Sequence, residues 1–360
     1  DLFDLINRVR PVVAPKSALP ILSHILMETG DSCIRVSATD LKVGIECEAD
    51  CTVLEPGAMT ISCQRLASML AELPDDDIEL KLIENSIIEL KCGRIETKLF
   101  SMPTDEFPPI RNFEGIEPLA LKQNELKKLF SRTSFAICTD QARYNLTGSL
   151  FELSEGRLTV VSTDGRRMSL AVQDEGLPYE ASVKAIIPSK MIHELERLFS
   201  DDSEVKVYLD SSQIGFAFGR IRIVTSLIEG NFPNYHMVVP QKHDKEVIID
   251  AHRFNEAMRR TKAMTNDKFN SVRISVGENL MTLKVVTPEV GEHTEDIEVE
   301  YSGETVEIAF NPDFILDVMK HIDNEKVCLV LKDGVSPGVL KPYTEAPSDL
   351  YVNVVMPIRI

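Results

Sequence analysis

Ser37-Ala38-Thr39-Asp40, Val161-Ser162-Thr163-Asp164 and Val285-Val286-Thr287-Pro288 place their threonines 124 residues apart, and that interval decides how the chain is built. A second register agrees. Phe107-Pro108-Pro109, Phe232-Pro233-Asn234 and Met356-Pro357-Ile358 step by 125 and then 124 residues, and Leu26, Leu150 and Ile274 by 124. A period of this length is the size of one domain. The chain therefore reads as three copies of one module, with expected boundaries at 1–118, 119–244 and 245–360. Little identity is shared between copies, so the fold repeats while each surface is free to carry a different contact.

Within each copy, apolar residues recurring three and four apart predict two amphipathic helices, over 3–13 and 62–73, 124–134 and 190–199, and 254–264 and 311–322. Short runs such as 86–90, 157–161 and 220–224 alternate as strands do and end in Gly, Asn or Asp turns. Strands dominate, and the class is α+β. No apolar run approaches the roughly 20 residues that span a bilayer, and no charged-then-apolar leader opens the chain. We expect no membrane role. Seven scattered cysteines without a CxxC pair suit free thiols in a reducing cytoplasm better than disulfides or zinc. The first residue, Asp1, suggests that the sequence starts inside its first module.

The net charge of −18 argues against nucleic acid until its distribution is considered. The six predicted helices hold twelve Lys and Arg against eight Asp and Glu, so they are net positive while the remainder is strongly acidic. If those helices face one way, they make a basic lining suited to sequence-independent phosphate contact. Solvated helix faces rich in Lys and Arg would give the same count.

Catalysis finds little support. The seven histidines show no HxxxH or HxH spacing for a metal, and no phosphate-cradling glycine loop is present, so no cofactor is expected. Asp40 and Asp164 recur in equivalent places, as paired acid–base groups might. The third copy has Pro288 there, however, and Thr-Asp after a strand is a natural turn former whose side chains bond nearby backbone. The readings left are a non-enzymatic protein whose basic helix face meets phosphate, and a three-module enzyme or solute-binding protein with a site at a module boundary.

Leu19-Pro20-Ile21-Leu22, Ser37 to Leu41, Arg143-Tyr144, Thr163-Asp164-Gly165-Arg166-Arg167, Asn231 to Tyr235, Tyr301-Ser302-Gly303 and Val354 to Ile360 together resemble the bacterial sliding clamps, the beta subunits of DNA polymerase III, over essentially the whole chain. The resemblance implies a ring of two head-to-tail chains, helices lining the hole and antiparallel sheets outside. It also implies a processivity role on duplex DNA and a hydrophobic groove that takes a short peptide from a replicative polymerase, a clamp loader or another clamp-binding protein. Matched residue by residue, that groove uses Leu146, Thr163, Gly165, Arg166, Met168, Pro233, Val238, Val335, Val354, Met356, Pro357 and Ile358, with Arg359 and Ile360 at its edge. Arg166 stands where a histidine is common, and Met237 where many relatives have Arg, so the rim charge differs from the family pattern.

For DNA contact we expect Lys16, Tyr144 and Lys190 by family position and Arg132 and Arg260 by helix placement. For assembly, Arg94 and Lys98, on a strand leading toward Phe107 and Ile110, would meet the acidic run containing Glu298 and Glu300 and the helix end at Ala263 and Met264 of a second copy.

Overall fold

The computed structural model describes residues 2–84, 86–173, 176–177, 182–238, 245–344 and 350–359. One pattern runs through it three times. It begins α1 (Leu2–Val9), β1 (His24–Thr29), β2 (Cys33–Thr39), β3 (Val43–Asp50), β4 (Ala58–Ser62), α2 (Cys63–Leu70), β5 (Ile78–Glu84), β6 (Ile87–Cys92), β7 (Ile95–Phe100). The second pass is β8 (Leu119–Lys122), α3 (Gln123–Ser131), β9 (Gly148–Ser154), β10 (Arg157–Thr163), β11 (Arg167–Val172), β12 (Val183–Pro188), α4 (Ser189–Leu198), β13 (Glu204–Leu209), β14 (Gln213–Phe218), β15 (Ile221–Ser226). The third is β16 (Lys245–Asp250), α5 (Ala251–Ala263), β17 (Val272–Gly277), β18 (Leu280–Thr287), β19 (Gly291–Glu298), β20 (Val306–Phe310), α6 (Pro312–Met319), β21 (Lys326–Leu331), β22 (Gly338–Pro342), β23 (Tyr351–Val355). Strands β1, β9 and β17 start at 24, 148 and 272, so the 124-residue interval of the sequence is the interval of the fold.

The helices form where the spacing predicts and stop slightly short of it. In α1, Leu5, Ile6 and Val9 lie on one buried stripe, and in α2 Cys63, Leu66, Ala67 and Leu70 do the same. Asp250 caps α5 by accepting the Arg253 N–H at 2.8 Å, and Asn311 caps α6 ahead of Pro312 by accepting the Asp313 N–H at 2.9 Å.

All sheets are antiparallel. By compactness the residues form two units, Asp1–Asn124 with His193–Leu227, and Glu125–Ile192 with Ile228–Ile360. The first holds the eight-stranded sheet β4-β1-β2-β3-β15-β14-β13-β8 and the sheet β5-β6-β7; the second holds β12-β9-β10-β11-β23-β22-β21-β16 and β19-β18-β17-β20. Each large sheet is two half-sheets joined edge to edge, β3 to β15 in one and β11 to β23 in the other.

The threonine repeat is a hairpin device. Thr39 Oγ donates to the Val43 carbonyl and Thr163 Oγ to that of Arg167, while Asp40 and Asp164 each accept two backbone N–H groups of the turn. Two residues after each threonine the backbone enters the left-handed region, at Leu41 (φ 75°), Gly165 (φ 81°) and Glu289 (φ 66°). Only Gly165 does so without steric cost. The aspartates are turn formers, which disposes of the paired-carboxylate reading.

Candidate functional site: an apolar groove

The second unit carries a groove of about 770 Å³ lined by Leu146, Thr163, Gly165, Arg166, Arg167, Met168, Phe232, Pro233, Tyr235, Met237, Val238, Lys332, Ser336, Pro337, Val354 and Met356. Its floor follows from the sheet. Met168 on β11 is paired directly with Val354 on β23, so both point the same way, and they join Leu150, Val161, Tyr235 and Val339 in one buried cluster. Tyr235 is fixed by donating its hydroxyl to Glu152 at 3.0 Å, and Glu152 in turn meets Lys184 at 2.8 Å. Burial, followed by that carboxylate, raises the phenol well above its ordinary value, so it stays a neutral wall group.

The hairpin on the rim is clamped from beneath. Arg167 donates to Asp317 at 2.7 Å, to the Phe135 carbonyl at 2.6 Å and to Asp164 at 3.1 Å, with its guanidinium over the Phe314 ring. Such a fork of charge-assisted bonds fixes a turn far better than packing alone. Burial would raise Asp317, but hydrogen bonds from Arg167 and Lys320 hold it below the usual carboxylate range. The chain end closes the other wall, the Met356 N–H donating to Arg166 C=O at 2.9 Å and the Ile358 N–H to Ala309 C=O at 2.8 Å.

Apolar side chains remain open to water here. Met237 is 83% exposed, Met356 42% and Val238 38%. A cluster of this kind on a rigid sheet is what peptide capture uses, and methionine adapts to the incoming side chain.

Of the expected groove residues, Leu146, Thr163, Gly165, Arg166, Met168, Pro233, Val238, Val354 and Met356 do line it. Val335 sits on the neighbouring hairpin tip, 76% exposed; Pro357, Ile358 and Arg359 continue past the wall, and Ile360 lies outside the described residues. Sequence reading missed Arg167, Phe232, Tyr235, Lys332, Ser336 and Pro337. Tyr235 and Phe232 were within reach as part of the repeated Phe-Pro register, whereas Lys332, Ser336 and Pro337 carried no signal beyond their nearness to Val335.

The expected phosphate-facing residues separate into two kinds. Lys16 is exposed and Tyr144 is 47% exposed, while Lys190 is half-buried. Arg132 instead lies over the Tyr351 ring at 4.8 Å, and Arg260 is held by both oxygens of Glu295 at 2.7 and 3.0 Å.

The assembly residues also divide. Arg94 and Lys98 are exposed on or beside β7, next to Ile95 and the 80% exposed Phe100. Phe107 is buried with Ile21 and Leu22, and half-buried Ile110 packs on Gly44, so both are taken up by the first unit's own sheet and core and do not stand on β7. The Phe-Pro signal marked a chain bend over a core, which from sequence looks the same as an exposed apolar patch. Ala263 is exposed and Met264 half-buried at the end of α5. The acidic run is already partly neutralised, Glu298 by Arg253 at 3.4 Å, Glu300 by Lys326 at 2.5 Å and Glu292 by Lys284 at 2.5 Å.

Among the described residues no three His, Cys, Asp or Glu gather as metal ligands, and no helix is long and apolar enough to cross a membrane. Burial pushes the Cys47 thiol up to about 12 and Cys63 to about 11, which leaves them inert.

Comparison with known proteins agrees along the full length. Family profiles for the DNA polymerase III beta subunit match here with the N-terminal domain at residues 1–111, the central domain at 120–234 and the C-terminal domain at 236–359. A beta sliding clamp of Chlamydia muridarum is 32% identical over 360 residues, covering 100% of this chain and 97% of that protein. The crystal structure of the Pseudomonas aeruginosa DNA polymerase III subunit beta superposes with a TM-score of 0.93 at 32% identity, covering 100% of this chain and 98% of that one. A second Pseudomonas aeruginosa clamp structure, bound to griselimycin, gives 0.94 at 32% identity, with 100% and 97% covered. The chain thus belongs to the DNA polymerase III beta subunit family.

Proposed function

We propose that this protein is a sliding clamp. It encircles duplex DNA as a head-to-tail dimer, keeps the replicative polymerase on its template, and recruits that polymerase, the clamp loader and other partners through the apolar groove. It works by enclosure and recruitment, not by chemistry, and acts in the cytoplasm, where the DNA is. The modules are taken as 1–118, 119–244 and 245–360.

The observation that carries this reading is the pair of sheet edges left over. The strand that follows the threonine turn of one module pairs with the last strand of the next, at β3–β15 and again at β11–β23. By the same rule β19 should receive the last strand of a following module, and β7 should be received by a preceding one. Among the described residues neither outer edge has a partner. An exposed edge is a template for another strand, and one chain's β7 on its partner's β19 closes a heterologous contact after two copies. Ile95, Phe100, Arg94 and Lys98 on one side and Glu298, Glu300, Ala263 and Met264 on the other supply apolar contact and opposite charge.

A ring that encloses DNA needs only weak, sequence-independent phosphate attraction, to which exposed Lys16 and Tyr144 are suited; half-buried Lys190, Arg132 and Arg260 would first have to turn from the contacts they make. The test is retention on nicked circular plasmid. A clamp stays on the circle and is lost when the plasmid is cut, because it slides off the ends. Equal retention on both would overturn the reading.

A further inference from the structure

The chain contains two junctions between half-sheets, and together they fix how a third would be made. The hairpins β14–β15 and β6–β7 both turn on Gly-Arg, closing Phe218 against Ile221 in one and Cys92 against Ile95 in the other. Counted along the strands, Thr97 therefore takes the place of Ile223, Lys98 that of Val224 and Phe100 that of Ser226. On the receiving side, β3 sets Ile45 opposite Ile223 and Gly44 opposite Val224, and β11 sets Ser169 opposite Asn353 and Met168 opposite Val354. The receiving residues keep the 124-residue interval, and one more step along it reaches His293 and Glu292 on β19.

The faces agree with the count. Ser169 Oγ reaches the Arg132 carbonyl beyond α3 at 2.6 Å, and His293 lies 3.3 Å from Glu295, which Arg260 of α5 holds, so both look toward the helices. Glu292 is exposed on the other face, as Met168 is on the groove face. A slip of one residue would turn every side chain to the wrong side.

In this register the charges match. Arg220 meets Asp50 at 2.6 Å across β15 and β3, and the same two positions on β7 and β19 hold Arg94 and Glu298. Lys98 faces Glu292. Phe100, 80% exposed, meets Val290, 51% exposed, where the Ser226 N–H donates to Lys42 C=O inside the chain. The pair on the helix side differs among the three junctions. It is Ile45 with Ile223, both fully buried, in the first, and Ser169 with Asn353, bonded at 2.7 Å, in the second. In the third it is His293 with Thr97, and the carboxylate beside His293 already accepts two bonds from Arg260. Closure there buries an imidazole and a hydroxyl where an isoleucine pair would gain apolar burial.

We propose that copies of this chain join in the register of the two internal junctions, and that His293 against Thr97 makes this junction weaker than those within the chain. This rests on the head-to-tail dimer reading and adds to it which residues meet and which of them limit its strength.

The test uses the full chain, with the dimer Kd from sedimentation and the dissociation rate from exchange of isotopically labelled subunits. Lys98→Glu and Glu292→Lys should each raise the Kd about tenfold at low salt, since each change acts at two junctions of exposed ion pairs. Together they should restore it, whereas Glu300→Lys should not rescue Lys98→Glu. Thr97→Ile combined with His293→Ile should slow dissociation about tenfold or more; the smaller valine pair replaces it if the isoleucines fail to fold. Failure of Glu292→Lys to rescue Lys98→Glu overturns the register, and dissociation that is unchanged or faster in the apolar pair overturns the role of His293. Either result leaves the dimer standing. A wild-type chain that is monomeric at micromolar concentration removes the assembly reading itself, and the register with it.

Discussion

Segments 107–113 and 232–238 leave their modules over equivalent sheet faces, yet one becomes core and the other borders a groove. Beneath the first lie two glycines, Gly44 on β3 and Gly215 on β14. A Cβ on Gly44 would stand 3.0 Å from Ile110, and one on Gly215 would overlap the Phe113 ring. The pairing Gly215–Val224–Gly44 in the first unit corresponds to Val339–Val354–Met168 in the second, where side chains fill the space the glycines leave. The first segment can lie down on its sheet; the second buries Tyr235 and then stands off, leaving Met237 and Val238 in water. Two positions on the sheet thus decide whether an apolar face is covered by its own chain or left for another.

Breaking the covered side should have the largest effect. Phe113→Ala removes a buried ring and should destabilise the first unit by about 4 kcal/mol in denaturant unfolding, whereas Val238→Ala at the equivalent position should cost less than about 1 kcal/mol. Similar losses at both positions would show that the second segment is as firmly packed as the first.

Next comes the clamp under the open hairpin. The position of Arg167 is taken by buried Val43 in the first unit, so one rim is held by apolar packing and the other by charge. Arg167→Met should cost about 3 kcal/mol, because it leaves Asp317 partly buried without its main partner. The pH dependence sharpens this. Asp317 is held below its ordinary pKa in the folded protein, so its contribution is fully present above the unfolded value and is lost as pH falls through the folded one. The wild-type advantage over Arg167→Met should therefore be constant near neutrality and shrink on acidification below about pH 4. An advantage independent of acid would mean that Arg167 acts through ring packing alone.

Refilling the space by Gly215→Val should cost about 2 kcal/mol through overpacking against Phe113, read as a lower unfolding midpoint with an unchanged slope. Met356→Ala should hardly alter stability, since the side chain is 42% exposed, but should weaken an apolar peptide about tenfold or more. Unaltered peptide affinity would place the anchor pocket elsewhere.

Much of this was legible in the residues themselves. The threonine interval, the alternation of apolar positions and the caps are local or periodic, and chain stereochemistry turns such patterns into strands, turns and helices without reference to the rest of the molecule. They determined three modules, two helices in each, and the Thr-Asp hairpins. Residues such as Gly165, Met168 and Met356 could be assigned to the groove only through the family resemblance, because a lone Met or Val in sequence reads equally well as core.

Tertiary structure alone decided the rest. That Arg132 stacks on Tyr351, that Phe107 is interior and that Arg167 holds the rim all depend on which segments meet across long stretches of chain. Periodicity records which face of an element is apolar. It carries no record of what covers that face, because cover is a matter of volume and charge between distant segments, settled here by a glycine under a phenylalanine in one unit and a valine in its place in the other.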